Sequence, residues 1–297
     1  MNYLITGATG FIGQHLVDYL LRHGQEVNYL GRQRSTTLDG RAAFHLWKRG
    51  EDLSLQSVPR LDAVVHLAGE PVAQRWNEKV KQAIYSSRVD GTRKLVSAME
   101  KLKHKPSVLV SASAVGIYGD RGNEILTENS APGKDFLADV CVAWEREALR
   151  AGEFGIRVVT VRIAIVLGRQ GGALKQMLVP FRLGVGGPLG SGKQWMPWIT
   201  LQDLVRLFIF AAENRDMSGA VNGAAPEPVT NAEFTKALGR VVGRPAVMPM
   251  PRFALRLALG PVADYMLASQ RVIPEAARQA GFQFDHSRIE EALRSVV

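Results

Sequence analysis

The sequence has one cysteine and no long hydrophobic run free of charge. The single thiol, Cys141, excludes a disulfide framework within the chain and a cysteine-rich metal site, so we expect no metal centre. No apolar stretch approaches the roughly 20 residues that cross a bilayer. The N-terminus begins directly with a strand pattern, without the basic, apolar and cleavage regions of a signal peptide. We therefore expect a cytoplasmic protein that does not act on a membrane.

A basic motif interleaved with aromatic residues is also absent, although the formal net charge is +9. The lysines and arginines are scattered, with one modest cluster at residues 101–105. That cluster lies at the expected end of a helix, where cations interact favourably with the helix dipole. We therefore expect no nucleic-acid partner. The 297 residues, 46% hydrophobic and 22% charged, suit one soluble α/β domain with a smaller appendage.

The first thirteen residues carry the most informative pattern. Residues 3–6 form a short apolar run typical of a buried strand, and residues 11–22 have one apolar helical stripe. Between them Gly7, Gly10 and Gly13 allow a tight turn, a close approach of backbone to phosphate and close packing of the helix on the sheet. Uncapped N–H groups at a helix N-terminus suit a pyrophosphate, so the pattern predicts dinucleotide binding. The alternative is an ordinary strand-to-helix turn.

The end of the second predicted strand, residues 25–30, favours NADP(H) over NAD. An NAD site of this architecture usually has an acidic residue there, which binds the ribose hydroxyls. This chain instead continues with Gly31, Arg32 and, two residues later, Arg34. Guanidinium groups pair with a 2′-phosphate, whereas a carboxylate would repel it. The alternative is that both arginines are simply solvated.

Further strand and helix patterns predict a Rossmann-type fold, an α/β doubly wound parallel sheet with a smaller C-terminal α/β-helical substrate domain. We expect residues 1–168 to bind NADP(H), 169–248 to lie on the substrate side, with parts that return to the sheet, and 249–297 to form a small helical domain. The expected strands are residues 43–47, 61–69, 107–110, 156–163 and 219–223. The expected helices are residues 76–103, interrupted near 86–87, and 201–214. Capping boxes are expected at residues 230–233 and 287–290.

Four ordered segments, residues 6–13, 62–69, 90–92 and 111–119, resemble the extended short-chain dehydrogenase/reductase superfamily of nucleotide-sugar epimerases and dehydratases. The resemblance covers essentially the whole chain. It implies a cofactor in the first domain and a nucleotide-sugar against the second. Members use a tyrosine as acid/base, a lysine four residues later that lowers its pKa, and a serine or threonine that bonds the substrate oxygen.

The resemblance also shows which catalytic groups this chain lacks. Counted back from Glu145, the tyrosine position is Leu137 and the lysine position is Cys141. Ser113 and Tyr118 remain as candidate catalytic groups, with Ser111 as the other serine that could match, because the segment between Ser113 and Tyr118 is one residue longer than usual. We expect Cys141 to be a small buried hydrophobe, and a cysteine nucleophile is the alternative.

Residues 140–145, 166–174 and 180–192 are similar to a narrower branch, the "epimerase family proteins" of bacteria and animals. That branch is thought to bind NADP(H), and its substrate is not established. The resemblance and the glycine pattern together place the cofactor contacts at Gly7, Thr9, Gly10, Phe11, Ile12, Gly13, Gly31, Arg32, His66, Leu67, Ala68, Gly69, Arg88 and Val166. His66 has a second interpretation as a satisfied core histidine.

Residues 187–194 nearly match the phosphate loop of nucleoside triphosphatases. Gln194 replaces the hydroxyl that would bind magnesium, and Pro197 prevents the helix that should follow, so we expect no ATP site. A substrate-facing loop at the seam between domains is the preferred interpretation, with Lys193, Trp195 and Trp198 as candidate contacts. The alternative for these residues is packing.

Two functions follow from these patterns. The first is an NADP-dependent oxidoreductase or epimerase that acts on a nucleotide-sugar or a similar polar metabolite, as a monomer or homodimer, with the nicotinamide carrying the hydride. The second is a non-catalytic NADP(H)-binding sensor, which requires different affinities for the two redox forms. The sensor function is suggested by two features together. The cofactor turn is intact, but the helix that should carry the catalytic tyrosine and lysine has neither.

Overall fold

The computed structural model describes residues 1–48 and 51–297. In chain order its strands are β1 (Asn2–Thr6), β2 (Glu26–Gly31), β3 (Ala43–Leu46), β4 (Ala63–His66), β5 (Val108–Ala114), β6 (Ile125–Leu126), β7 (Arg157–Ile163), β8 (Ile165–Leu167), β9 (Trp195–Met196), β10 (Trp198–Thr200), β11 (Gly219–Gly223), β12 (Val229–Thr230) and β13 (Arg271–Val272).

The α-helices are α1 (Phe11–Arg22), α2 (Glu78–Glu100), α3 (Phe136–Leu149), α4 (Gly172–Arg182), α5 (Leu201–Glu213), α6 (Asn231–Val242), α7 (Arg252–Leu259), α8 (Val262–Met266), α9 (Glu275–Gln279) and α10 (Ile289–Val296). Short 3₁₀ helices span Val115–Tyr118 and Arg150–Phe154.

Seven strands form one parallel sheet in the order β3-β2-β1-β4-β5-β7-β11. Because side chains alternate across a strand, Ile5 packs with α1 and α5 on one face, while Leu4 packs with α2 on the other. The direction in which successive strands are added to the sheet reverses between β1 and β4. From β1 the chain continues to β2 and β3 on one side, and from β4 it continues to β5 and β7 on the other. Ligands of such sheets bind at this reversal, beyond the carboxyl ends of the strands. The predicted Rossmann-type fold is confirmed.

The C-terminal part of the chain has a core of its own. Trp198, Phe234 and Leu293 share one apolar cluster, which brings α4, α6 and α10 together. Short pairs, β10 with β8, β12 with β9 and β13 with β6, accompany these helices. β11 returns to the main sheet beside β7. The division at residues 168 and 248 stays a prediction.

Local signals predicted the seven strands of the main sheet and the helices α1, α2, α5 and α6, whereas the short strand pairs outside that sheet were not predicted. α2 runs without interruption through Ser87, whose hydroxyl bonds back to the carbonyl of Ile84 (3.1 Å), as serines inside helices commonly do. The capping box of Thr230 and Glu233 is present. The second predicted box is wrong, because α10 begins after Arg288 without a side-chain cap. The carboxylate of Glu290 instead pairs with arginines of α6 and α10.

Candidate functional site

The turn between β1 and α1 has the shape of a phosphate cradle. Gly7 has φ 70°, and a Cβ there would lie 2.7 Å from the carbonyl carbon of Leu67. A Cβ at Gly13 would collide with the carbonyl oxygen of Gly7. Within the described residues α1 has no side-chain cap and no acidic group in its first turn. The first amides of α1 are therefore available to an anion, as an uncapped helix N-terminus generally is.

Phe11 forms one wall of this cradle, against a second glycine-rich loop. A Cβ at Gly168, Gly171 or Gly172 would come within 3.0 Å of the Phe11 ring. These glycines let the N-terminus of α4 close over the first turn of α1. Sequence reasoning used residues 166–174 only for the family resemblance and missed this contact. The spacing of three glycines just before a helix was the available signal.

The loop after β2 presents unpaired cations. Arg32 is exposed, and the Arg34 guanidinium lies 6.0 Å from the centre of the Phe44 ring. The hydroxyl of Tyr29 accepts a hydrogen bond from the amide of Ser35 (2.9 Å) and holds the loop. Across residues 1–48 and 51–297, neither arginine has an ion-pair partner. Both guanidinium groups can therefore meet a phosphoryl group without first breaking a salt bridge.

His66 lies at the carboxyl end of β4 and is fully buried. Thr92 donates its hydroxyl proton to the carbonyl of Arg88 (2.5 Å), so its oxygen accepts from His66 Nε2 (2.9 Å). His66 Nδ1 then accepts from the hydroxyl of Thr6 (2.6 Å), whose oxygen accepts from the amide of Ala68 (3.2 Å). Burial, and next the charge of Arg88, lower the pKa of His66 to about 4.

Both ring nitrogens of His66 are thus occupied by threonines, and the imidazole is neutral. The imidazole ties β1, β4 and α2 together, which supports the second interpretation of His66 as a satisfied core histidine. The cofactor contact at His66 stays a prediction. Leu67 and Ala68 follow it and are half-buried, and Gly69 is exposed, at the edge where a cofactor would lie. Val166, in the middle of β8, is also half-buried, and its carbonyl faces Gly172.

Arg88 of α2 is the cation that faces this edge. Its guanidinium donates to the carbonyl of Glu70 (2.9 Å) and lies 5.2 Å from the centre of the Trp144 ring. A Cβ at Gly69 would come within 3.1 Å of it, so the glycine leaves the guanidinium room. Burial lowers the pKa of Arg88, and the side chain stays charged because an ordinary arginine pKa is so high.

Leu137 and Cys141, on α3, occupy the positions expected for tyrosine and lysine. Leu137 packs beside Gly116 and in an apolar cluster with Trp76 and Tyr265. Cys141 is buried, and burial raises the pKa of its thiol to about 12. The thiol is therefore protonated at neutral pH, which supports the prediction of a small buried hydrophobe.

Ser113 and Tyr118 are held in a buried polar network beneath the carboxyl end of β5. Ser113 donates to Glu145 Oε1 (2.6 Å), and Arg162 binds both oxygens of the same carboxylate (2.9 Å each). Tyr118 donates to Asn222 Oδ1 (2.6 Å) and accepts from Arg162 Nη1 (3.0 Å). Burial raises the pKa of the phenol despite the nearby guanidinium.

Neither hydroxyl is accessible, since Ser113 is 2% and Tyr118 0% exposed. In this conformation the prediction that they act on a substrate is corrected to a role in holding the fold. Ser111, the other serine weighed, is also buried, and its hydroxyl contacts the carbonyl of Ala112 (3.2 Å).

The three predicted substrate residues fall into different environments. Lys193 is exposed, and Trp195 is half-buried, with its indole N–H bonded to Asn123 Oδ1 (2.8 Å). The guanidinium of Arg271 lies 4.4 Å from the centre of the Trp195 ring, a contact that the sequence did not reveal. Trp198 is fully buried in the C-terminal core. The substrate contact predicted for Trp198 is therefore corrected to packing.

The described residues hold neither a cluster of metal-binding side chains nor a membrane-spanning helix. No group of three or more His, Cys, Asp or Glu side chains there could hold a metal ion. No helix in the same ranges is long and apolar enough to cross a membrane.

Comparison with known proteins places this geometry in a family context. Residues 3–222 match the sequence model of the NAD dependent epimerase/dehydratase family, and residues 250–296 match a domain of unknown function, DUF1731. The epimerase family protein YfhF of Bacillus subtilis is 39% identical over 298 residues, which cover 100% of this chain and 98% of that protein.

Two solved structures extend the comparison. The human epimerase family protein SDR39U1 (isoform 2), crystallised with NADPH, superposes with a TM-score of 0.91 at 35% identity, over 100% of this chain and 99% of that chain. The UDP-glucuronic acid 4-epimerase of Bacillus cereus, in complex with UDP-glucuronic acid and NAD, has a TM-score of 0.79 at 19% identity, over 99% and 96%. At that identity the second likeness shows the fold alone.

Proposed function

The chain belongs to the NAD dependent epimerase/dehydratase family, and from this premise we propose that it binds NADP(H) and acts as an oxidoreductase or epimerase on a polar metabolite such as a nucleotide-sugar. The observation that carries the proposal is the glycine cradle at the N-terminus of α1, with unpaired arginines beyond β2. A relative that is 35% identical was crystallised with NADPH.

The residues present fit this dinucleotide. The amides of Phe11 and Ile12 would receive the pyrophosphate, because no side chain or Cβ fills the cradle. Arg32 would bind the 2′-phosphate, with Arg34 beside it. Bound there, the nicotinamide supplies a hydride donor or acceptor. Arg88, Leu67 and Val166 would line the far end of the cofactor by the family resemblance.

In the proposed reaction the chain itself contributes the positions of its ligands and a positive charge. Leu137 replaces the acid/base tyrosine, and the hydroxyls of Ser113 and Tyr118 already have buried partners. Arg88 faces Gly69, and it can stabilise negative charge on a substrate oxygen. The proton that accompanies the hydride would then come from a substrate group or from water.

A second candidate function is an NADP(H) sensor. The buried environments of Cys141, Ser113 and Tyr118 favour it, since a chain that reads the redox state of its cofactor needs no acid/base. Equal dissociation constants for NADPH and NADP⁺ would exclude this function, because a ligand pair with equal affinities shifts no conformational population.

Calorimetry with NADPH, NADP⁺ and NADH tests the cofactor assignment. Loss of one charge-assisted bond of about 1.5–3 kcal/mol should weaken NADPH binding by roughly 10- to 150-fold in Arg32→Ala. NADH affinity should not change, and neither affinity should change in Arg146→Ala, an exposed arginine on α3. Absence of heat with all three ligands would refute the proposal, and tighter binding of NADH would refute only the role of Arg32.

Catalysis is tested separately, on protein that has been shown to bind NADPH. The absorbance of NADPH is followed with a panel of nucleotide-sugars and related hydroxy or carbonyl compounds, and epimer formation is measured by NMR. Turnover with any of them supports the enzyme. No oxidation, no epimer and a clear difference between the NADPH and NADP⁺ affinities would favour the sensor.

A further inference from the structure

A basic cavity lies where the C-terminal ends of α4, α6 and α10 meet. It measures about 620 Å³, and four arginines line it together with valines: Arg182, Arg240, Arg244 and Arg294. We propose that this cavity binds an organic polyphosphate, a small molecule of nucleotide size that carries at least two phosphoryl groups. The inference does not depend on the proposed function. α4 begins at the cofactor cradle, and at about 1.5 Å per residue its last residue, Arg182, lies roughly 15 Å further along the helix axis.

The charge of the lining favours an anion. Arg294 donates to Glu290 Oε1 (2.9 Å), and Arg240 Nη2 lies 3.1 Å from Glu290 Oε2. Among the described residues, Glu290 is the one acidic side chain that pairs with these arginines. Even with a carboxylate on Val297, the cavity would keep an excess of positive charge. Guanidinium groups bind phosphoryl oxygens in bidentate geometry, so several of them in one cavity suit a multiply charged phosphate.

Two of these arginines have no partner in the part of the chain that the structure describes. The guanidinium groups of Arg182 and Arg244 make no ion pair and no hydrogen bond there. They do not cap the helices either, because backbone turns do so. The amide of Val185 donates to the carbonyl of Pro180 (3.0 Å) at the end of α4, and the amide of Arg244 donates to the carbonyl of Gly239 (3.0 Å) at the end of α6. Both guanidinium groups are therefore available to a ligand.

The backbone around Arg244 is held in one position. Gly243 has φ 69°, in the left-handed region that favours glycine, and it lets the chain turn back after α6. A Cβ at Gly239 would lie 3.0 Å from the carbonyl oxygen of Arg244, so this glycine permits the close return. Pro245 follows with a fixed φ. A side chain on a fixed backbone loses less freedom when it binds, which favours a ligand site.

The size of the cavity favours an organic molecule over a bare inorganic ion. Sites for small molecules commonly measure about 300–1,000 Å³, and this cavity lies within that range. Val241 and Val242 are half-buried parts of the lining. They can cover the apolar face of a ring while the phosphoryl groups contact the arginines. An organic polyphosphate therefore uses both chemical kinds of side chain in the cavity.

Calorimetry with magnesium-free ATP, on protein saturated with NADPH so that the cradle is filled, tests this inference. ATP should bind, AMP should bind roughly ten-fold more weakly because it carries less charge, and added salt should weaken both. Arg182→Gln and Arg244→Gln should each weaken ATP binding about two- to five-fold, and the variant with both replacements about ten-fold. Arg146→Gln is the matched control, because Arg146 is an exposed arginine on α3 outside this lining.

The outcomes that would overturn the inference are distinct. They are no heat with ATP, an unchanged ATP affinity in the double variant, and AMP or inorganic triphosphate that binds as tightly as ATP. A single-stranded oligonucleotide that binds more tightly than ATP, and more weakly to the double variant, would also overturn it, because the arginines would then belong to a nucleic-acid surface.

The same titrations separate this inference from the cofactor assignment. If NADPH does not bind, ATP is titrated without it. An ATP affinity that falls in the double variant and is unchanged in Arg32→Ala would support the cavity and leave only the cofactor assignment refuted. An ATP affinity that falls in Arg32→Ala and is unchanged in the double variant would place ATP at the cradle and overturn the inference.

Discussion

Replacing Glu145 by glutamine measures what the buried network beneath β5 contributes to the fold. The carboxylate accepts two hydrogen bonds from Arg162 (2.9 Å each) and one from Ser113 (2.6 Å). Both members of the ion pair are only 10% exposed. Glutamine keeps the shape of the side chain but removes its charge, so the guanidinium of Arg162 stays buried without a counter-ion.

The expected cost follows from this burial. Removing one partner of a buried ion pair destabilises a protein by about 3–5 kcal/mol. Arg162 keeps the hydroxyl of Tyr118 (3.0 Å) and the carbonyl of Glu128 (2.9 Å), which places the cost at the lower end. A loss of about 3 kcal/mol corresponds to a fall in melting temperature of roughly 6 to 12 °C.

Equilibrium unfolding in urea gives the difference, with Glu147→Gln as the control on the same helix. Glu147 pairs with Arg93 and Arg150, whose side chains are 46% and 37% exposed, so its replacement should cost no more than about 1 kcal/mol. The paired replacement of Glu145 by Leu and Arg162 by Met should recover most of the stability. Equal losses in the two single glutamine variants would refute the reasoning.

Three further outcomes follow from the site. The pKa of His66 is about 4 in the fold, against 6.5 in the unfolded chain, so its contribution to the free energy of unfolding is complete above pH 6.5 and declines by up to about 3 kcal/mol as the pH falls to 4. In urea unfolding at several pH values, His66→Gln should lack this part of the pH dependence. A pH profile identical to that of the wild type would contradict this expectation. Cys141 should resist a thiol reagent in the folded protein and react in urea, because its thiol is buried with a pKa near 12. Gly7→Ala should abolish NADPH binding, as measured by calorimetry. It should also destabilise the protein more than Gly24→Ala in unfolding curves, because Gly24 has the same φ of 70° but open space around it.

Local patterns predicted the cradle because its determinants are adjacent in the chain. The glycine spacing and one apolar stripe placed α1 at its observed bounds, Phe11–Arg22. The capping box at Thr230 was visible for the same reason, since its partner is three residues away. The box predicted at Ser287 is wrong, and long-range pairing of Glu290 with Arg240 shows how a distant residue competes with a local cap.

The polar partners at the carboxyl edge could not be read from the sequence. Ser113 bonds a residue 32 positions away, and Tyr118 bonds one 104 positions away. The sequence shows that a motif contains a serine or a tyrosine, but it does not show whether the hydroxyl faces a substrate or a buried carboxylate. The spacing of residues gives the elements that carry such groups, whereas burial and pairing depend on how those elements pack.

The side chains that the motifs assign to catalysis are used by the fold, and this restricts the chemistry open to the chain. Ser113 donates its hydroxyl proton to Glu145, and Tyr118 donates to Asn222 and accepts from Arg162. The imidazole of His66 is hydrogen-bonded to two threonines. Among the predicted site residues of the described ranges, the backbone amides of the cradle and the arginines Arg32, Arg34 and Arg88 remain for an anion. Such groups bind anions and stabilise negative charge, but they do not exchange protons near neutral pH. The pH dependence of any turnover rate should therefore show no ionisation of the Tyr118 phenol. Deuterium from labelled NADPH should appear in the product although Tyr118 takes no part in the transfer.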